Sequence, residues 1–181
     1  HAIGYATRLI QMGYADVVVS GGTESVMSPV GMAGFQNMTA LSSSGQSKPF
    51  DKDRDGFMMT EGSATLVLEE MSSAQSRGSN IYGEVLGSGS TADAHHITAP
   101  APGGDGALRC MQLAIEDSGL ASTDIASVNA HGTSTPLNDA AEAEALSKLF
   151  GEDGPPVTST KGVTGHALGA AGAIEATAVL L

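Results

Sequence analysis

Cysteine, tryptophan and basic side chains are what this sequence has least of. Its 181 residues include one cysteine, Cys110, and no tryptophan, while aromatic residues make up 4% and charged residues 15%. A lone thiol excludes an internal disulfide framework and fits a reducing compartment. Eight Lys and Arg against twenty Asp and Glu give a net charge of −12. That balance argues against a nucleic-acid surface, because phosphate binding needs clustered cations. No apolar run reaches the roughly 18 residues a membrane span requires. No low-complexity tract argues for disorder.

What is present is small and apolar. Hydrophobic residues are 41% of the chain and glycine alone contributes 24, so backbones are expected to approach closely around one sizeable core or two small packed halves. Residues His1 to Met12 already follow helix spacing, and the closing "ATAVLL" lies in another apolar helix. Both ends therefore read as cut, and the sequence as a piece of a longer protein in which a targeting signal would not be visible.

Helix spacing through Ala2, Ala6, Leu9 and Ile10 stops at Gly13 and gives way to the β-branched run Val17–Val19. Thr23 to Asp55 has little periodicity, and a structureless loop of that length is uncommon, so short helices or a covered site are expected there. Ser63–Glu70 reads as a buried strand, "SSAQSRG" as a short helix and "NIYGEVLGSGS" as another strand. Further on, "GALRCMQLAIEDSGL" is amphipathic, with Ala107, Cys110, Met111, Ala114 and Ile115 on one stripe and Gly119 past its end. "IASVNAHGTST" reads as a strand running into a polar loop. Thr135–Pro136 opens the helix "PLNDAAEAEALSKLFG" as cap and first turn, "PPVTSTKG" gives another strand end, and "HALGAAGAIEATAVLL" the last helix. Helices alternating with short strands indicate α/β layers. "HAIGYAT" at the start echoes "HALGAAG" at His166–Gly172, either by coincidence of two Ala/Gly-rich helices or through duplication of a half-domain.

Reactive side chains concentrate in three stretches: Asn129–Asp139, Ser159–His166 and Thr91–Thr98. The first two share a plan of strand end, loop with His or Lys among Gly and Thr, then helix. In α/β sheets such loops beyond the strand ends are where ligands bind. His131, Lys161 and His166 are thus candidates for one cleft, although a histidine after a strand is more often a capping or core residue and a lone lysine a solvated one. Glu175 changes the weighing. It stands in a helix with no other charge, where an ionised carboxylate needs a cation, and Lys161 is the natural partner. Cys110 lies on an apolar stripe without an adjacent base, so a buried structural thiol is the better reading. A phosphate loop is excluded by residue order, since Lys161 precedes the glycines. Zinc would have to use Asp93, His95, His96 and His131, which lack the ligand spacing.

Taken together, "NAHGTSTPLND", "STKGVTGHALGAAGAIEA", "PFDKDRDGF" and "EGSATLVLEE" resemble the elongating β-ketoacyl-[acyl carrier protein] synthases of the thiolase-like superfamily, in order and over essentially the whole chain. The resemblance implies an α/β fold, a layered α-β-α-β-α arrangement of two related halves, incomplete here. Residues 1–90 would be the remainder of the N-terminal half and 91–181 most of the C-terminal half, the two meeting near 86–103. It implies decarboxylative condensation of malonyl-carrier protein with an enzyme-bound acyl thioester in fatty-acid synthesis. A polyketide-type ketosynthase, or a non-catalytic chain-length partner subunit, remains an alternative.

By that resemblance His131 and His166 are the two histidines of a Cys-His-His site, Lys161 its lysine and Glu175 the associated acid. Thr133 and Thr135 would face the phosphopantetheine arm, and the nucleophilic cysteine would fall about four residues before His1, so this stretch alone should not condense anything. No cofactor beyond the phosphopantetheine that carries the substrates is implied, and no metal. The implied partners are an acyl carrier protein, acyl and malonyl thioesters, and a second copy of the protein in a homodimer. The implied location is the cytoplasm, or a plastid or mitochondrion in a eukaryote.

Overall fold

The computed structural model describes all 181 residues. Helix α1 (Ala2–Gln11) ends just before Gly13, whose φ of 71° turns the chain into strand β1 (Val17–Glu24). Ser28 caps α2 (Pro29–Asn37) by accepting the Gly31 amide at 3.1 Å, and Pro29 supplies a first residue with no amide to satisfy. After an irregular return, β2 (Gly62–Glu69) pairs antiparallel with β1, Val18 opposite Leu68 and Val19 opposite Val67. The expected buried strand is in fact one-sided. Leu66 and Leu68 are half-buried, but Val67 between them is 64% exposed, because side chains alternate across a pleat and this pair is covered on one face.

Helix α3 (Met71–Ser76) is short, and the chain then departs from expectation. Asn80–Ser90 forms no strand. It runs across α4 (Asp105–Ser118) instead, with Gly87 against the backbone of Ala114 and Ser118 and Gly89 against the Cys110 carbonyl. The Ser88 amide donates to the Asp117 carboxylate at 2.9 Å rather than to a neighbouring strand. Gly119, with φ at 72°, ends α4 as expected.

The remaining elements set up the site. Strands β3 (Val128–Asn129) and β4 (Val157–Thr158) lie side by side in parallel, Val128 opposite Val157. Helix α5 (Pro136–Phe150) follows the first. The single turn α6 (Lys161–Thr164), a 3-10 turn at Leu168–Ala170 and α7 (Ala171–Leu180) follow the second. Helix α7 packs back onto β1 and β2, and α1 packs on β1. No helix is long and apolar enough to cross a membrane.

The buried hydrophobic residues are mostly alanines, among them Ala130, Ala145, Ala170 and Ala173, with Phe57, Met59 and Leu146 as larger members. The largest side chains that are fully buried are polar: Lys161, Asp139 and Ser134. Small residues thus let backbones close in around a polar centre. Burying such groups is tolerable only where each finds a partner, so that centre is where the site must be sought.

Candidate active site

Parallel strands release their following loops at the same edge, and β3 and β4 do so one residue beyond Asn129 and Thr158, where Ala130 N donates to Thr158 O at 2.7 Å. His131 and Lys161 therefore emerge together. The Lys161 ammonium is ion-paired with Glu175 of α7, donates to the His131 carbonyl at 2.7 Å, and lies 3.4 Å from His131 Nδ1. The pairing expected from an isolated charge in an apolar helix is present. However, Lys161 is 1% exposed and its three protons all have protein partners, so its charge acts through His131 rather than by direct contact with a ligand.

His131 and His166 stand edge to face, ring centroids 5.4 Å apart and planes at 85°. Each is held in a definite tautomer. An ammonium only donates, so His131 Nδ1 accepts from Lys161 and the ring proton lies on Nε2. His166 Nδ1 accepts the Leu168 amide at 3.1 Å, which again leaves the proton on Nε2. Both rings are also biased toward the neutral form. Burial, and secondly the Lys161 charge, holds the His131 pKa below its ordinary value, even though the residue as a whole is exposed. Burial pushes His166 down to about 3, with Lys161 and the His131 ring adding to it. The result is two neutral N–H donors side by side, backed by a fixed positive charge: an arrangement suited to an oxygen that becomes negative during reaction.

Four side chains that fix this geometry were not singled out from the sequence. Glu142 of α5 accepts the amides of His131 and Gly132 at 2.7 and 2.8 Å. Asp139, one helical turn earlier and 1% exposed, accepts the amides of Ser134 (3.1 Å) and Phe50 (2.8 Å). Ser134, fully buried with φ at 66°, accepts the Lys48 amide at 2.8 Å through its hydroxyl and the Gly56 amide at 2.8 Å through its carbonyl. Phe57 lies edge-on to His166 at 4.8 Å. The spacing Asp139–Glu142 on the face of α5 nearest the loop was the available signal, but acidic residues in a helix read by default as solvated. Residues 47–57 thus pack against the site's loops, and α2 is a short helix, so the stretch Thr23–Asp55 shows both of the arrangements expected for it.

Thr135 does occupy the first position before α5, but its hydroxyl does not cap the helix. It is hydrogen-bonded to the Thr133 hydroxyl at 2.8 Å, and Thr133 is 5% exposed. One hydroxyl of such a pair accepts, so its own proton is left for a further partner. The third stretch, Thr91–Thr98, does not join the others in any hydrogen bond. His96 Nδ1 accepts the amides of Thr98 and Ala99, and Asp93 accepts that of Ala101, so both are engaged within their own loop. Cys110 sits on α4, half-buried rather than buried as expected, and shares no hydrogen bond with His131, Lys161 or His166.

Comparison with known proteins identifies the family. The models for the beta-ketoacyl synthase N-terminal domain and C-terminal domain match residues 1–74 and 82–181. The 3-oxoacyl-[acyl-carrier-protein] synthase 2 of Synechocystis sp. is 50% identical over 188 residues, an alignment covering 100% of this chain and 45% of that protein. A solved beta-ketoacyl synthase from Burkholderia phymatum is 43% identical with a TM-score of 0.94, over 99% of this chain and 44% of its own. A type II polyketide synthase acyl-carrier protein in complex with its ketosynthase gives a TM-score of 0.96 at 36% identity, over 99% of this chain and 46% of that one. The chain thus spans somewhat under half the length of the curated relatives it matches. These neighbours carry the thiolase-like α/β fold.

Proposed function

The chain belongs to the β-ketoacyl synthase family, and we propose that the protein containing it elongates acyl chains in fatty-acid biosynthesis. The reaction is decarboxylative condensation of malonyl-carrier protein with an acyl thioester held on the enzyme. The observation that carries this reading is the pair of imidazoles with ring centroids 5.4 Å apart, each with Nδ1 facing a donor, which assigns the ring proton to Nε2.

In the first half of the reaction the bond between the malonyl carboxylate and its α-carbon breaks and carbon dioxide leaves. The electron pair enters the enolate, whose negative charge rests on the thioester oxygen. Nε2–H of His131 and of His166 donate to that oxygen, and Lys161, paired with Glu175, supplies the positive field behind them. In the second half the α-carbon attacks the acyl carbonyl, a carbon–carbon bond forms, and the enzyme thiolate departs. Cys110 has no place in this scheme; the resemblance to the condensing enzymes implies that the thiolate belongs to a cysteine about four residues before His1. The free proton of the Thr133–Thr135 pair suits a carbonyl or amide of the phosphopantetheine arm. An acyl carrier protein as partner, a homodimeric assembly and a cytoplasmic setting belong to the same reading. The carrier protein is supported by the solved ketosynthase that is bound to an acyl-carrier protein.

A polyketide-type ketosynthase is the second reading, favoured by that same structural likeness. The higher identity to the 3-oxoacyl-[acyl-carrier-protein] synthases weighs against it. The test is malonyl-carrier protein decarboxylation by the full-length protein. His131→Ala and His166→Ala should each lower the rate about 10²–10³-fold, the usual cost of one oxyanion donor. Near-normal turnover in either variant would remove that histidine from the scheme, and the products formed over repeated extension separate the fatty-acid from the polyketide reading.

A further inference from the structure

His166 owes its tautomer to a single backbone amide, that of Leu168. Leu168 is an awkward residue for the purpose. Its φ is +41°, in the left-handed region where side-chain-bearing residues are seldom found. Such a conformation persists where the surroundings over-determine it. Part of that support is local, since Ala170 N closes the turn onto Ala167 O at 2.8 Å. The rest comes from the distant end of β1. The Glu24 carboxylate accepts the Gly169 amide through Oε2 at 3.2 Å, and its Oε1 accepts the Ser25 amide at 3.1 Å. Two residues before it, Gly22 lies so close to the Gly169 carbonyl and to Ala170 that a Cβ would collide. The strand end is therefore pressed against the turn, with a carboxylate reaching across to the amide next to the one that His166 uses.

From this geometry we infer that Glu24 is a positioning residue for His166. By fixing the Gly169 amide it holds the left-handed turn at Leu168, keeps the Leu168 N–H on Nδ1, and so keeps the imidazole proton on Nε2. A carboxylate suits the position because it is the strongest acceptor available to a backbone amide, and it stands where α7 begins, at the positive end of the helix dipole. The inference rests on the donor role proposed for His166. It adds a residue 142 positions earlier in the chain, the difference between 166 and 24.

The test uses the full-length protein with ¹⁵N-labelled histidine, its His166 signals identified by loss in His166→Ala. In the wild type, Nδ1 of His166 should show the shift of an unprotonated acceptor and Nε2 that of an N–H. Glu24→Met keeps the length of the side chain without its oxygens. It should mix the two tautomers and lower kcat for malonyl decarboxylation about tenfold, with KM changed less than twofold. Glu24→Gln retains an acceptor oxygen and should restore both to within twofold. Should Glu24→Met not fold, Glu24→Ala takes its place, and hydrogen exchange at the Gly169 amide, faster there than in Glu24→Gln, reports the lost bond. The inference is overturned by unchanged tautomer signals in the Met or Ala variant, or by a Gln variant as impaired as they are. The tautomer readout does not depend on turnover. A wild-type protein that fails to decarboxylate malonyl thioester would therefore sink the functional reading while leaving this one standing.

Discussion

After β3 the chain holds its histidine with side chains, and after β4 it holds the other with backbone. Around His131 the fixing groups are the Lys161 ammonium on Nδ1 and on the carbonyl, and Glu142 on two successive amides. Around His166 they are Met58 O on its amide at 2.8 Å, Thr60 N on its carbonyl at 3.1 Å, and Leu168 N on the ring. The same chemical end, a neutral ring protonated at Nε2, is reached by two constructions. A side-chain construction is vulnerable to single substitutions. A backbone construction is vulnerable to whatever disturbs the path of the chain, which is why the far end of β1 matters to His166.

Lys161→Met should break this symmetry most. It leaves the Glu175 carboxylate largely buried without its cation and takes the donor from His131 Nδ1, while touching none of the bonds to His166. Breaking one partner of a buried pair typically costs about 3–5 kcal/mol, and the 17% exposure of the Glu175 side chain places the loss near the lower figure. Denaturant unfolding of the full-length protein reads it. Adding Glu175→Leu should recover most of the stability but not the decarboxylation rate, and a stable single variant would show that the pair does not bear on the fold.

Glu142→Ala should come next. Two loop amides lose their acceptor, and for the buried one, Gly132, an unsatisfied group costs about 1–3 kcal/mol; His131 loses its fixed approach while His166 does not. A proton-exchange comparison should show faster exchange at His131 and Gly132 and unchanged protection at His166. Equal loosening of both would mean that the two loops are not held separately.

The smallest effect near neutrality is one of pH. Both histidines are harder to protonate folded than unfolded, so the unfolded chain binds more protons below its ordinary histidine pKa of about 6.5. Their contribution to stability is therefore fully present above that pH and declines as pH falls toward 3. Ring-proton titration by NMR should find His166 neutral throughout pH 5–7, and a His166 midpoint near 6.5 would contradict the burial argument.

Much of this was open to a reader of the sequence, for reasons tied to particular residues. Glu175 announced a cation because it is the one charge in an apolar helix, and Lys161 supplied it. The repeated plan of strand, polar loop and helix made His131, Lys161 and His166 candidates for one cleft, and the structure brings them together. What escaped notice was hidden by context. Asp139 and Glu142 sit in a helix rich in alanine and glutamate, where carboxylates ordinarily face water, and nothing local says that this turn faces two loops instead. Ser134 in a left-handed conformation is invisible until φ is known, because serine is unremarkable in any polar loop. The segment Asn80–Ser90 reads as a strand from its Ile, Tyr and Val, but strands are made by neighbours, and here its Ser88 amide meets a carboxylate of α4.

The central claim is that two imidazoles, delivered by separate loops, serve one oxygen. A crystal structure of the full-length protein with a malonyl thioester analogue that cannot lose carbon dioxide tests this most directly. The account predicts the thioester oxygen within about 2.7–3.2 Å of Nε2 of both His131 and His166, the span of an ordinary N–H···O bond. An oxygen bonded to one ring alone, or to neither, would contradict it.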